Sequence, residues 1–246
     1  MKGFPGKVVR AAWGVYALLV FATVTLATTF LVAVLPGLSN RRQAARLGAR
    51  LIFFATGIPL DVSEIGKLPP EACVVVANHA SYLDGVILTA ALPPNFSFVI
   101  KREITSVPLA HLLLRRLGSE FVERFDRHRG ASDARRILRK ARDGEALAFF
   151  PEGTFTAEPG LQRFRTGAFA AAARAGMPVV PVIIRGARGV LPAKRWLPRR
   201  VPLEVIITEP IELSASQQGH RASRLLILSR KRILEHLEEP DLGPPR

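Results

Sequence analysis

The chain has one cysteine in 246 residues. Cys73 can therefore form no internal disulfide, which fits a reducing compartment. Its place in the run Cys-Val-Val-Val-Ala at 73–77 reads as a small buried hydrophobe. Acid is scarce too: Asp and Glu number 20 against 35 Lys and Arg, for a net charge of +15 and an isoelectric point near 11.3. The first sixty residues hold neither Asp nor Glu, and residues 11–40 hold no charged side chain. No Gly-x-Ser-x-Gly elbow occurs, which removes that signature of an enzymic serine nucleophile. There is no zinc-ligand spacing and no aromatic ribonucleoprotein box. His111, His128, His220 and His236 have no ligand-like companions. Neither a metal nor a nucleic-acid partner is expected, and there is no repeat or low-complexity block.

What is abundant is arginine, 28 of the 35 basic residues. Its planar fork pairs bidentately with phosphates and carboxylates, so the chain is built to meet an anionic partner. The apolar run from Trp13 to Leu35 is long enough for a membrane span, which needs about 20 residues, and Trp13 and Tyr16 lie at one end where interfacial aromatics belong. A cleaved signal peptide would share the basic start at Lys2, Lys7 and Arg10. The run exceeds the roughly 7–15 apolar residues of such a peptide, however, and no small-x-small site ends it. An uncleaved anchor is expected. Behind it, Arg42, Arg46 and Arg50 recur at helical spacing with Leu47, Leu51, Ile52, Phe53 and Phe54 nearby. Residues 40–56 read as a basic amphipathic helix lying against anionic lipid, with a solvated helical linker as the other reading. Positive charge flanks both ends of the apolar run, so a helical hairpin held in one leaflet best resolves its orientation.

After Gly57-Ile58-Pro59 the pattern changes. Strands are predicted at 73–77, 97–100, 119–123, 146–150, 179–184 and 203–207, and helices at 83–92, 107–117, 130–143, 166–176 and 221–237. This alternation predicts an α/β fold with a mixed, largely parallel sheet flanked by helices. A membrane-embedded helical arm, expected as a two-helix motif, precedes it. The boundaries are 1–57 for the anchor and 58–246 for the catalytic domain, with a frayed tail at 241–246.

Four stretches stand out. Residues 78–84, Asn-His-Ala-Ser-Tyr-Leu-Asp, bring His79 and Asp84 to the end of a buried-looking strand, where open α/β sheets tend to place ligand-binding and catalytic groups. An imidazole oriented by a carboxylate is a ready general base; a helix cap by Asp84 beside a satisfied core histidine is the structural alternative. Residues 118–124, Gly-Ser-Glu-Phe-Val-Glu-Arg, put Arg124 at the end of a short strand, free to meet an anion or simply to lie on the surface near Arg127 and Arg129. Residues 149–154, Phe-Phe-Pro-Glu-Gly-Thr, end a strand at a carboxylate, a glycine and a hydroxyl. Glycine there lets backbone N–H groups approach a ligand, although Pro and Gly also mark plain turns. Residues 164–182 carry small side chains from Gly167 to Ala173 that read as tight helix packing, then Val180-Pro181-Val182.

In this order the stretches resemble the glycerolipid acyltransferase family, specifically 1-acyl-sn-glycerol-3-phosphate acyltransferases and their lysophospholipid-acylating relatives. Its boxes stand here as residues 78–84, 118–124, 150–156 and 180–182, and the resemblance spans about residues 70–210. It implies transfer of a fatty acyl group from acyl-CoA or acyl-carrier protein to a lysolipid hydroxyl, with no cofactor. The foremost acceptor is 1-acylglycerol-3-phosphate. By analogy His79 is the general base and Asp84 holds its tautomer. Arg124 would bind a phosphate oxygen, and Glu152 a hydroxyl or the loop itself. Gly153 and Thr154 belong to the substrate loop, Lys101 and Arg102 are second-rank phosphate ligands, and backbone amides around Gly153 would steady an oxyanion. Ser81 is set aside as a nucleophile because no elbow turn would hold it. One departure is informative: Phe155 stands where the third box usually has arginine. Arg163 or Arg165 would have to compensate, or the acceptor is another lysolipid, such as a lysophospholipid or lyso-ornithine lipid. A lipid hydrolase and a non-catalytic lipid binder are the rival readings. The implied home is a bacterial inner membrane, catalytic domain on the cytoplasmic side, with anionic lipid as partner.

Overall fold

The computed structural model describes residues 4–123, 127–193, 195–212 and 220–243. It opens with two long helices, α1 (Phe4–Val34) and α2 (Leu38–Thr56). The elements that follow are β1 (Leu60–Ser63), β2 (Val74–Ala77), α3 (Asp84–Ala91), β3 (Phe96–Lys101), α4 (Pro108–Arg116), β4 (Glu120–Val122), α5 (Arg127–Arg142) and β5 (Ala146–Phe149). Then come α6 (Gly167–Ala175), β6 (Val179–Arg185), α7 (Ala187–Val190), β7 (Leu203–Ile207) and α8 (Arg221–Leu237). The seven strands form one sheet in the order β1-β7-β6-β2-β5-β3-β4. Every neighbouring pair is parallel except β6 with β7.

The run at 73–77 explains the centre. β2 is buried on both faces, as the inner strand of a helix-covered parallel sheet must be. Its residues alternate between two cores. Val75 and Ala77 face a cluster with Phe53, Ile87 and Leu88. Val74 and Val76 face one with Ile137, Phe169 and Ile233. Each fully buried valine stabilises the fold by about 1.5–2 kcal/mol. Cys73 is buried beside them, and burial pushes its thiol up to about 12, so it packs and does not react.

The arm is a helical hairpin. Gly37, at φ +76°, makes the turn. Gly48 lies so close to Thr28 that a Cβ there would stand 2.2 Å from the hydroxyl oxygen. Near the far end, the Tyr16 hydroxyl donates to the Ala55 carbonyl at 2.9 Å. Gly57, left-handed at φ +65°, stops α2 as the sequence predicts. Among the described residues, α1 alone is long and apolar enough to cross a membrane.

The basic face of α2 corrects the expected lipid-facing one. Arg42 donates to the carbonyls of Leu117 and Asn95 at 3.1 and 2.9 Å, and Arg50 to that of Ala90 at 3.0 Å. From the other side, Arg116 donates to the Val32 and Ala33 carbonyls near the end of α1. Apart from Asn95, which lies in the loop before β3, these oxygens lie at or next to helix ends, where carbonyls lack intrahelical partners and cations are favoured. The face turned outward is apolar instead: Leu47, Leu51 and Phe54 are exposed.

β1 and α7 were not expected. β1 is an edge strand of four residues, three half-covered and one, Asp61, exposed, a pattern too short and too polar to signal a strand. The expected frayed tail is pinned as far as Gly243. Arg230 pairs with Asp241, and the Leu242 amide donates to the Leu161 carbonyl at 3.1 Å. Residues 244–246 lie outside the described residues.

Candidate active site

The carboxyl ends of β2, β5 and β6 meet at one edge of the sheet. Asn78 fixes where β2 stops. Its Nδ2 donates to the Ile184 carbonyl at 2.9 Å and its Oδ1 accepts from the Ile184 amide at 2.7 Å. The side chain thus replaces a strand partner on β6, and the main chain is released into a loop from His79 onward.

That loop folds back on Asp84, the first residue of α3. Asp84 is fully buried and makes no cap of its own helix. Its Oδ2 accepts from the amides of Ala80 and Ser81 at 2.6 and 2.8 Å and meets His79 Nδ1 at 2.8 Å. Oδ1 has no hydrogen-bond partner among the described residues. A carboxylate can only accept here, so Nδ1 carries the hydrogen and Nε2 keeps its lone pair. The imidazole remains 20% exposed. The structural alternative therefore gives way: Asp84 is the orienter of a ring that can still be reached. Ser81 is fully buried, donating to the Leu191 carbonyl at 2.7 Å and accepting from the Leu83 amide at 3.1 Å. It is a bracket for the loop, unavailable as a nucleophile.

Aromatic rings enclose His79. Phe150 stacks on it with centroids 4.5 Å apart and a 23° tilt; Phe155 packs on it at 4.6 Å, and Tyr82 meets Phe155 edge-on at 4.8 Å. Such rings hold the imidazole in plane and favour it when it becomes cationic. Phe150 was read from sequence only as a strand residue. The two-residue alternation of β5, which sends Phe149 to the opposite face, was the signal that could have separated them.

Glu152 is the second buried acid, 4% exposed. Its Oε1 accepts from the His79 amide at 2.6 Å, and its Oε2 from the Gln162 amide at 2.7 Å. Both oxygens are turned onto backbone, so of the two expected roles, a substrate hydroxyl or the loop itself, the contacts seen are those of the loop: a staple between the β2 loop, the β5 loop and residue 162. Burial pushes this carboxyl up to about 8; the two amides pull it down and the nearby Asp84 charge pushes it further up. Gln162 is seated in turn by Arg230, 3% exposed, which donates to the carbonyls of Gln162 and Leu161 and lies 5.2 Å over the Phe164 ring.

Gly153 takes φ +77°, and its amide donates to the Phe150 carbonyl at 3.0 Å, which ties the expected oxyanion donor into its own turn. Thr154 is exposed beside it. Lys101 is exposed at the end of β3, whereas Arg102 is held by Asp133 through two contacts of 3.2 Å, with Glu123 at 4.0 Å. Of the expected basic pair, only Lys101 is therefore uncommitted. Arg124 lies outside the described residues. A cleft of about 800 Å³ opens next to this loop between α5 and α6. Phe149, Phe150 and Phe164 give it an apolar lining, and its charged lining is mixed: Arg163, Arg165 and Arg174 with Glu123, Asp133 and Glu152. Its size is that of a small-molecule pocket.

The chain matches the family model described as Acyltransferase over residues 59–185. It is 29% identical over 180 residues to 1-acyl-sn-glycerol-3-phosphate acyltransferase BAT2, chloroplastic, of Brassica napus, covering 72% of this chain and 50% of that protein. It is 34% identical over 139 residues to the Lyso-ornithine lipid O-acyltransferase of Pseudomonas aeruginosa, covering 55% of this chain and 51% of that protein. The chain thus spans about half the length of each. Among solved structures, it is similar to the 1-acyl-sn-glycerophosphate (LPA) acyltransferase, PlsC, of Thermotoga maritima. The TM-score is 0.76 with 20% identity, over 93% of this chain and 96% of that one. At that identity the likeness is one of fold.

Proposed function

The chain belongs to the acyltransferase family, and from that footing we propose that it moves a fatty acyl group from acyl-CoA or acyl-carrier protein to the free hydroxyl of a lysolipid. The acceptor we favour is 1-acylglycerol-3-phosphate, which would give phosphatidate. The observation that carries this reading is the 2.8 Å contact between His79 Nδ1 and Asp84 Oδ2. It leaves Nε2 free to act as a base on a hydroxyl.

In the proposed reaction, His79 Nε2 takes the acceptor's hydroxyl proton as the oxygen attacks the thioester carbonyl carbon. Asp84 stabilises the imidazolium, following the logic of the serine triad with the substrate supplying the nucleophile. The tetrahedral intermediate collapses, the carbon–sulfur bond breaks, and the thiolate recovers the proton from His79. No acyl-enzyme forms. Phe150 and Glu152 keep the ring and its peptide in place, and the cleft beside Phe150 takes an apolar chain. Residues 1–57 serve as the membrane anchor and residues 58–246 carry the catalysis. The apolar outer faces of α1 and α2 support a hairpin resting in one leaflet, at a bacterial inner membrane with the domain on its cytoplasmic side.

Phe155 favours a second reading. An aromatic ring packs on His79 where the resemblance leads one to expect an arginine, and the Pseudomonas relative is named for a lyso-ornithine lipid. A panel of lysophosphatidate, lysophospholipids and lyso-ornithine lipid, with acyl-CoA and acyl-carrier-protein donors, tests both. Transfer to lysophosphatidate supports the first reading, transfer restricted to another lysolipid supports the second, and release of free fatty acid alone overturns both in favour of a hydrolase.

A further inference from the structure

Trp196 is 86% exposed, the most exposed large hydrophobic side chain among the described residues. Indole is normally half-covered, with an apolar body that prefers the boundary between water and something drier. The segment that presents it, residues 191–200, runs between α7 and β7. Both of its ends are fastened to elements already described. At its start, the Leu191 carbonyl accepts from Ser81 in the catalytic loop at 2.7 Å. At its close, the Arg199 amide donates to the Val190 carbonyl at 2.9 Å, and Arg200 Nε donates to the carbonyl of Gly57, which ends α2, at 2.7 Å. In between, it abuts α1: a Cβ on Gly14 would stand 3.2 Å from both Leu197 Cβ and the Pro198 oxygen.

These contacts fix its place. β7 begins where β6 ends, Arg185 opposite Glu204, so the segment lies on the same edge of the sheet as the carboxyl end of β2 and His79. On the arm, Val15 and Tyr16 follow the contact residue Gly14 and are exposed, and Phe54, three residues before the contact residue Gly57, is 84% exposed. Its charge has one sign. No Asp or Glu occurs between Glu158 and Glu204. The side chains of Arg195 and Arg199 are exposed and make no hydrogen bond or ion pair among the described residues. Arg41, Arg42 and Arg50 of α2 are spent on carbonyls; these two are not.

We infer that residues 195–200 are a second membrane contact. Trp196 sits at headgroup depth in an anionic bilayer, and Arg195 and Arg199 meet lipid phosphates. Aromatic and cationic side chains are the ones found at that depth. A cation near such a surface strengthens partitioning roughly fivefold. Two fastenings, the arm and this segment, set the angle at which the catalytic edge meets the lipid, where one alone would leave the domain free to tilt. The inference requires the arm to be at a bilayer but does not depend on which acceptor His79 serves.

The chain has two tryptophans, so Trp13→Phe leaves Trp196 as the sole reporter. The full chain is reconstituted into phosphatidylglycerol or phosphatidylcholine vesicles carrying lipids brominated at different depths. Expected in phosphatidylglycerol are a blue-shifted emission and quenching strongest for bromines near the headgroup, reduced at least fivefold by Arg195→Glu with Arg199→Glu. If Trp13→Phe does not reconstitute, the difference between wild-type and Trp196→Phe emission gives the same reading. Emission typical of water with no bromine quenching overturns the proposal. So does a Trp196 response to added acyl-carrier protein in place of vesicles, which would make the patch a donor dock. Because the readout is emission, a failed acyl-transfer assay leaves it standing.

Discussion

The loops after β2 and β5 each carry one buried carboxylate, and the two are handled almost alike. Asp84 and Glu152 both accept two main-chain amides. The difference is a third contact: Asp84 also receives the imidazole hydrogen of His79, whereas Glu152 has only its two amides, one of them from the same histidine. One acid therefore acts on the ring and the other on the peptide that carries it. Two acids with the same burial and the same sort of neighbours can differ completely in duty, and only the third contact tells them apart.

Substitutions can break this pairing in graded steps. His79→Ala removes the base that both acids serve, and transfer should fall by roughly 10³–10⁴-fold with membrane binding unchanged in vesicle flotation. Near-wild-type turnover would dismiss the mechanism. Asp84→Asn keeps the shape and removes the charge and the fixed tautomer. We expect a loss of about 10²–10³-fold in kcat with little change in KM. Glu152→Gln swaps one acceptor oxygen for an NH₂ facing an amide, so transfer should fall only about tenfold. A drop as large as that for Asp84→Asn would mean the two acids share a role.

The same variant yields a pH test. The folded carboxyl of Glu152 is raised to about 8 from an ordinary 4.5. Between those values the folded state binds more protons than the unfolded one, so stability is fully present below about 4.5 and lost as pH rises through 8. Denaturant midpoints at pH 5, 7 and 9 should decline in wild type, by a few kcal/mol at most, and decline less in Glu152→Gln. The mildest change is Phe155→Arg, which restores a cation beside His79. Preference for lysophosphatidate over lyso-ornithine lipid should rise about five- to tenfold in kcat/KM. No change would mean that residue 155 does not read the headgroup.

Much of the fold was legible because parallel strands buried on both faces read as apolar runs, as at 73–77 and 179–184. The His79–Asp84 pairing was legible because five residues suffice to close it. What sequence could not supply were partners without a side-chain signature. Arg42, Arg46 and Arg50 do share a helical face, but Arg42 and Arg50 turn to carbonyl oxygens 40 to 75 residues away, and a carbonyl belongs to every residue type. Arg230 looks like its neighbours, exposed Lys231 and half-buried Arg232, yet it is the buried cation that seats Gln162. For Glu152 the sequence left two roles open, a hydroxyl or the loop itself: its box was visible, while the inward turn of its carboxylate depends on the amides of His79 and Gln162.

The arginine-to-carbonyl stitching of the arm also imposes an order of events during synthesis. Arg42 leaves the ribosome 75 residues ahead of Leu117, the carbonyl it will hold. At about 5–20 residues per second, that is roughly 4–15 s. Throughout this interval the hairpin exists without the carbonyls of Ala90, Asn95 and Leu117 that Arg42 and Arg50 will hold.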